Sequence, residues 1–179
     1  MGYSAPVGRA GGDSGRVDAD GKRGPMLIGR LPHKGDLLGG LTAAAVEGGV
    51  KAGIIQVIGS LERARLSFYD QWARRYREFS LDTPLEIAAG LGNISLKDDT
   101  PFVHLHLSLA DREGAMTGGH AVAGCTVFAA EYAIIPLAGP PLVRVHDETT
   151  GLFLWERERY GSGPASELPP DIQRALFTP

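Results

Sequence analysis

The chain has 179 residues, 43% of them hydrophobic and 22% charged, with a formal net charge of −3, which describes one globular domain able to bury a core of ordinary size. That balance argues against a stand-alone nucleic-acid-binding domain, which carries a basic surface, and the single cysteine, Cys125, excludes a disulfide framework and the cysteine-rich zinc motifs. No apolar run is long enough to span a bilayer or to serve as a signal peptide, so the expectation is a soluble cytoplasmic protein.

Residues 1–24 are rich in glycine and charge and poor in large apolar side chains, so ordering them gains too little to offset the entropy, and a flexible tail is expected. Within it Lys22-Arg23-Gly24-Pro25 approaches the Arg-Gly-Arg-Pro core of a minor-groove AT-hook. The second arginine, which makes much of the groove contact, is missing, and the AT-hook reading is rejected. Met26 to Leu31 reads as a first strand. Asp36 then serves as N-cap of a helix whose apolar face is Leu37, Leu38, Leu41, Ala44 and Ala45 and which Gly48-Gly49 end. Gly39 and Gly40 each cost this helix about 1 kcal/mol relative to alanine, so it depends on tertiary packing.

Gly53 to Gly59 is short, rich in β-branched residues and bounded by glycine, which predicts a buried strand. Further strands are predicted over Ala64 to Tyr69, Tyr76 to Leu81, Leu85 to Ile94 and Phe102 to Leu109, followed by a long one from His120 to Ile135. Pro136 and Gly139-Pro140-Pro141 break the chain. Leu142 to Val145 and Leu152 to Trp155 form a final hairpin around Asp147 to Gly151, before a C-terminal tail over residues 159–179. One helix among many strands makes an α+β domain dominated by antiparallel sheet, over residues 25–158.

Three histidines carry the chemistry. On a strand, alternate side chains share a face, so His104, His106 and Ser108 point one way while Val103, Leu105, Leu107 and Leu109 face a core. Asp111 to Ala115 is polar, contains a glycine and reads as a hairpin connection. If that loop centres near Glu113, His106 lies opposite His120, and opposed residues on antiparallel strands have Cβ atoms about 4.5–5.5 Å apart. The three imidazoles can then share one ion with a fourth position open, as structural sites closed by four protein ligands do not. Imidazole suits zinc, copper, iron and nickel, and zinc is the default. The bland alternative is a solvated histidine face that binds nothing.

Other candidates are weighed the same way. Cys125 in its strand reads as a small buried hydrophobe. The stretch from Glu62 to Glu78 interleaves Arg63, Arg65, Arg74, Arg75 and Arg77 with Phe68, Tyr69, Trp72 and Tyr76, which suits a subunit contact or solvated loop better than base stacking. Glu131 follows His120 at an odd spacing of 11 positions, which places it on the opposite face unless a bulge intervenes. Asn93 and Ser95 can line the site from a neighbouring strand or serve as structural hydrogen-bonding groups.

Gly35-Asp36-Leu37-Leu38, Ile58-Gly59-Ser60-Leu61, Leu91-Gly92-Asn93-Ile94-Ser95, Phe102-Val103-His104-Leu105-His106 and Gly118-Gly119-His120 through Gly124-Cys125 to Glu131 occur in one order. This series, over residues 27 to 156, resembles the PPC domain, the plant and prokaryote conserved domain, in its free-standing prokaryotic type without an AT-hook. The resemblance implies a compact α+β sheet domain that assembles as a homotrimer and mediates self-association and partner binding. It also carries the family's histidine positions onto His104, His106 and His120. His33 and His146 fall outside that set and are expected to be exposed or locally hydrogen-bonded.

Two functions follow as alternatives: a homotrimeric binding or regulatory module that holds a metal, or a metal-dependent enzyme acting on a small molecule, for which no catalytic base is assigned. Association with DNA would rest on fold-level analogy, a weak warrant. A small-molecule ligand at the open metal position is compatible with either, and no membrane partner is expected.

Overall fold

The computed structural model describes residues 26–157. The expected tails, and both ends of the expected domain at residues 25 and 158, lie outside the described residues. Among the described residues the elements run β1 (Leu27–Leu31), α1 (Leu37–Glu47), β2 (Gly53–Asp70), β3 (Arg75–Leu81), β4 (Leu85–Lys97), β5 (Thr100–Ala110), β6 (Met116–Ala121), β7 (Thr126–Pro136), β8 (Arg144–Asp147) and β9 (Leu152–Trp155). No helix among them is long and apolar enough to cross a membrane. Mostly antiparallel sheet with one helix is the architecture the sequence pattern implies.

The first seven strands form one antiparallel sheet in the order β1-β7-β2-β4-β5-β6, with β3 paired to β2. β6 also returns to β2, through Leu66 opposite Ala121 and Ser67 opposite His120. The pairings β2-β4-β5-β6-β2 therefore close a ring, and this closure brings the β6 histidine against the far half of β2. β8 and β9 form a separate hairpin.

Two predicted strand boundaries are corrected. Gly53–Gly59 and Ala64–Tyr69 are one strand of 18 residues. Its register shifts at Gly59, whose φ is +130° and where an added Cβ would lie 2.2 Å from the Ala129 carbonyl oxygen, so the chain kinks without ending. Conversely, the long strand expected from His120 to Ile135 is two strands, β6 and β7, separated at residues 122–125, where Gly124 takes a φ of +108°. His120 thus closes a short hairpin strand.

The helix is built as its sequence dictates. Asp36 is the N-cap, its Oδ1 accepting from the Gly39 N–H at 2.7 Å, while its Oδ2 accepts from the Gly124 N–H at 2.6 Å and ties the helix start to the β6–β7 turn. Leu37, Leu41 and Ala45 are fully buried against the sheet together with Ile55, Leu61, Leu66, Leu105 and Leu109. Cys125 belongs to this core, and burial pushes its thiol upward. It is the small buried hydrophobe the sequence implies.

Candidate metal centre

β5 fixes the orientation of the site. Val103, Leu105, Leu107 and Leu109 are buried in the core, which obliges His104 and His106 to project from the other face. Asp111 builds the hairpin turn, its Oδ1 accepting from the N–H groups of Glu113 and Ala115, while Gly114 takes a φ of +81°. The register that results sets His106 directly opposite His120 on β6.

Close strand approach makes this register possible. At Gly118 a Cβ would lie 2.2 Å from the Leu107 carbonyl oxygen, and at Gly92 of β4 it would lie 2.2 Å from that of His104. Only glycine admits the two flanking strands this near the histidine strand.

The three rings meet. Their centroids are 5.1 Å apart for His104 and His106, 5.0 Å for His104 and His120, and 5.4 Å for His106 and His120. One nitrogen from each ring can be chosen so that all three lie within 4.8 Å of one another. The Nε2 atoms of His104 and His106 are 3.2 Å apart. Two nitrogens held by one tetrahedral zinc ion at about 2.0–2.1 Å stand about 3.4 Å from each other, so this pair already has the spacing an ion requires.

Electrostatics favour the neutral form that ligates. Burial, then the Arg144 guanidinium, then the other two imidazoles push His104 down from 6.5 to about 4. Burial, then His106 and Arg144, also lower His120. Both rings therefore keep their lone pairs at neutral pH. On this donor set the residues fit a divalent ion with an open fourth position.

Around the imidazoles stand residues that sequence reasoning did not assign to the site. Arg144, the first residue of β8, donates from Nη2 toward His104 Nδ1 at 3.2 Å and to Asn93 Oδ1 at 3.0 Å, from Nε to Ser95 Oγ at 2.7 Å, and from Nη1 to the Phe153 carbonyl at 2.8 Å. Asn93 and Ser95 therefore serve the site by holding Arg144. Because a guanidinium can only donate, Nδ1 of His104 accepts and its Nε2 carries the proton. Tyr76 of β3 lies against His120 with centroids 5.4 Å apart, and Tyr69 packs on Tyr76 at 5.0 Å. A cavity of about 710 Å³ opens over the three histidines, walled by these tyrosines, Phe102 and the β8–β9 hairpin.

The remaining candidates lie elsewhere. Ser108 shares the exposed face of β5 but does not line the cavity. Glu131 pairs across β7 with Arg30 and Ile58, away from the histidines. His33 and His146 are exposed, as expected; His33 donates from Nδ1 to the Phe128 carbonyl at 2.9 Å, a partner distant in sequence, and His146 Nδ1 makes a local contact with Glu148 Oε1 at 3.0 Å. The arginine and aromatic stretch divides: Arg63, Arg65 and Arg77 form ion pairs with Asp82, Glu78 and Asp70, whereas Arg74, Arg75, Tyr69 and Tyr76 line the cavity.

Residues 19–138 match the model of the Plants and Prokaryotes Conserved (PCC) domain. The chain belongs to this family. The PCC match begins within the expected N-terminal tail. Among solved structures, the metal-containing protein AF0104 of Archaeoglobus fulgidus is 38% identical, with a TM-score of 0.72 over 76% of this chain and 96% of that one. The plant- and prokaryote-conserved protein of Pyrococcus horikoshii is 32% identical, with a TM-score of 0.73 over 78% and 96%. A curated relative, the bifunctional protein GlmU of Synechococcus sp. strain JA-3-3Ab, is 34% identical over 123 residues. Those residues are 68% of this PCC chain but only 18% of that protein, so the likeness covers under one fifth of its length.

Proposed function

We propose that this PCC protein is a homotrimeric binding or regulatory module whose His104, His106 and His120 hold one divalent ion, zinc by default. The observation that carries the reading is the convergence of three imidazoles at the floor of a cavity, two of them, His104 and His120, with depressed proton affinity. The name of the A. fulgidus relative, a metal-containing protein, supports it. When bound, the ion supplies a Lewis-acidic position that faces the cavity. The chain's own residues orient the rings, keep His104 and His120 neutral and wall the position with aromatic side chains. To offer Nε2 to an ion, His104 would carry its single proton on Nδ1 instead of Nε2, and Arg144 Nη2 would release Nδ1 while its bonds to Asn93, Ser95 and Phe153 keep the guanidinium in place.

Self-association is supported by an unpartnered apolar sheet face. Ile28, Ile58 and Leu91, on β1, β2 and β4, are 72%, 57% and 58% exposed. Large apolar side chains clustered on one face mark an interaction surface. A metal-dependent enzyme is the second reading, favoured by the cavity above the open position. Among the described residues lining that cavity no carboxylate stands ready as a base.

Metal analysis of full-chain protein purified without a histidine tag tests the site. One equivalent of divalent metal is expected, and less than a tenth of that in His104→Ala and His120→Ala at unchanged secondary structure. Absence of stoichiometric metal from the unmutated protein overturns the site. Light scattering at micromolar concentration tests the trimer, and a monomeric mass overturns it.

A further inference from the structure

The walls of the histidine cavity carry charge of one sign. Arg74, Arg75, Lys97 and Arg144 line it, and no Asp or Glu does among the described residues. The chain as a whole is net negative at −3, so the excess is placed locally and does not reflect composition. The partners of these cations confirm the bias. Arg144 is fixed by four neutral acceptors, none of which cancels its charge. Lys97 Nζ sits 3.7 Å from the Phe153 ring centroid, and Arg74 Nη1 donates to the Glu148 backbone carbonyl. By contrast Arg63, Arg65 and Arg77, from the same β2–β3 region but off the cavity, each meet a carboxylate.

Like charges gathered around one partly desolvated volume repel, and a divalent ion held by three neutral imidazoles adds two more positive charges with no anionic ligand to offset them. A negatively charged ligand relieves both. The cavity, at about 710 Å³, has the size of a small-molecule site, and Tyr76, Phe102 and Phe153 offer apolar surface for the body of such a ligand.

We infer that this cavity binds a small organic oxyanion, its carboxylate or phosphate group set between the metal position and the cations Lys97, Arg75 and Arg144, its apolar body against Tyr76, Phe102 and Phe153. This inference rests on the metal reading above and names the ligand class of the same site.

Cobalt(II)-loaded full-chain protein, whose visible spectrum reports the ligands of the ion, is titrated with benzoate, with phenyl phosphate and with the uncharged benzamide. Benzoate or phenyl phosphate is expected to change the spectrum saturably while benzamide does not, and the tighter of the two anions identifies the group preferred. Lys97→Met and Arg75→Gln, which leave the three histidines intact, are expected to take up cobalt normally and to bind that anion about fivefold to tenfold more weakly, the effect of losing one partly screened charge-assisted contact. Equal binding of benzamide, failure of both anions to bind, or unchanged anion affinity in both variants overturns the oxyanion inference while the metal site stands. Failure of the unmutated protein to hold cobalt overturns the metal reading and this inference with it.

Discussion

Two buried serines beside the histidines make a sharp test of the polar architecture. Ser95 is 0% exposed and its Oγ accepts the Arg144 Nε–H at 2.7 Å. Ser67 is 2% exposed, and its Oγ has no hydrogen-bond partner. The same substitution, serine to alanine, therefore perturbs the fold in opposite directions. In Ser95→Ala the guanidinium loses an acceptor in a half-buried setting, where an unsatisfied charged donor costs about 1–3 kcal/mol; partial access of water holds the expected loss to about 1–2 kcal/mol. Ser67→Ala removes a hydroxyl whose desolvation nothing offsets, so its effect lies between no change and a gain of about 1 kcal/mol. For a domain of this size each kcal/mol moves the melting temperature by about 3–5 °C. Thermal and urea unfolding of metal-free protein, followed by circular dichroism at pH 7.5, should place Ser95→Ala below the unmutated protein and Ser67→Ala at or above it. The reverse order would refute the assignment, and a loss above about 1 kcal/mol in Ser67→Ala would mean that its hydroxyl is satisfied.

The other predictions concern protons and close packing. His104 and His120 bind protons less readily when folded than in the unfolded chain, where the value is near 6.5. The unfolded state therefore takes up more protons as pH falls, and stability of the metal-free protein is fully present above pH 6.5 and lost toward about 4, by about 1–2 kcal/mol for His104 once solvent screening is allowed for. Urea midpoints that stay flat from pH 7.5 to 4.5, after correction by a His104→Gln variant, would contradict this. Gly92→Ala drives a Cβ to 2.2 Å from the His104 carbonyl oxygen and should cost about 2 kcal/mol as the strands separate. It should also reduce metal content, whereas the same change at Gly49, where nothing lies within 4 Å of an added Cβ, should leave metal content unchanged.

The fold was largely legible because its signals are local. The alternation of Val103, Leu105, Leu107 and Leu109 with His104 and His106 states which face of β5 is buried, and the Asp111–Gly114 turn states where the chain reverses. Asp36 and Gly48 bound the helix for equally local reasons. The errors arose where glycine was ambiguous. Gly59 looked like an end and is a kink within β2, because its carbonyl neighbours on β7 continue the pairing past it. Gly124 was read as an interior strand residue and is the turn between β6 and β7, since the Asp36 carboxylate, distant in sequence, accepts from its N–H.

The histidines themselves were found, because a hairpin places His106 and His120 by register alone. Arg144, Tyr76 and Lys97 were not, because no periodicity links them to the histidines. Arg144 arrives on a separate hairpin and is held by Asn93 and Ser95 of β4, so its place depends on packing between two sheets. Tyr76 reaches His120 because β6 pairs with β2 alongside β3. The division has a physical logic. Ligand atoms for an ion must hold their positions to fractions of an ångström, which rigid inner strands provide. Charges that attract a ligand act over several ångströms and tolerate a looser frame. The histidines lie on paired strands fixed by buried leucines and strand-spacing glycines, while the cations come from strand ends, the β2–β3 turn and an added hairpin.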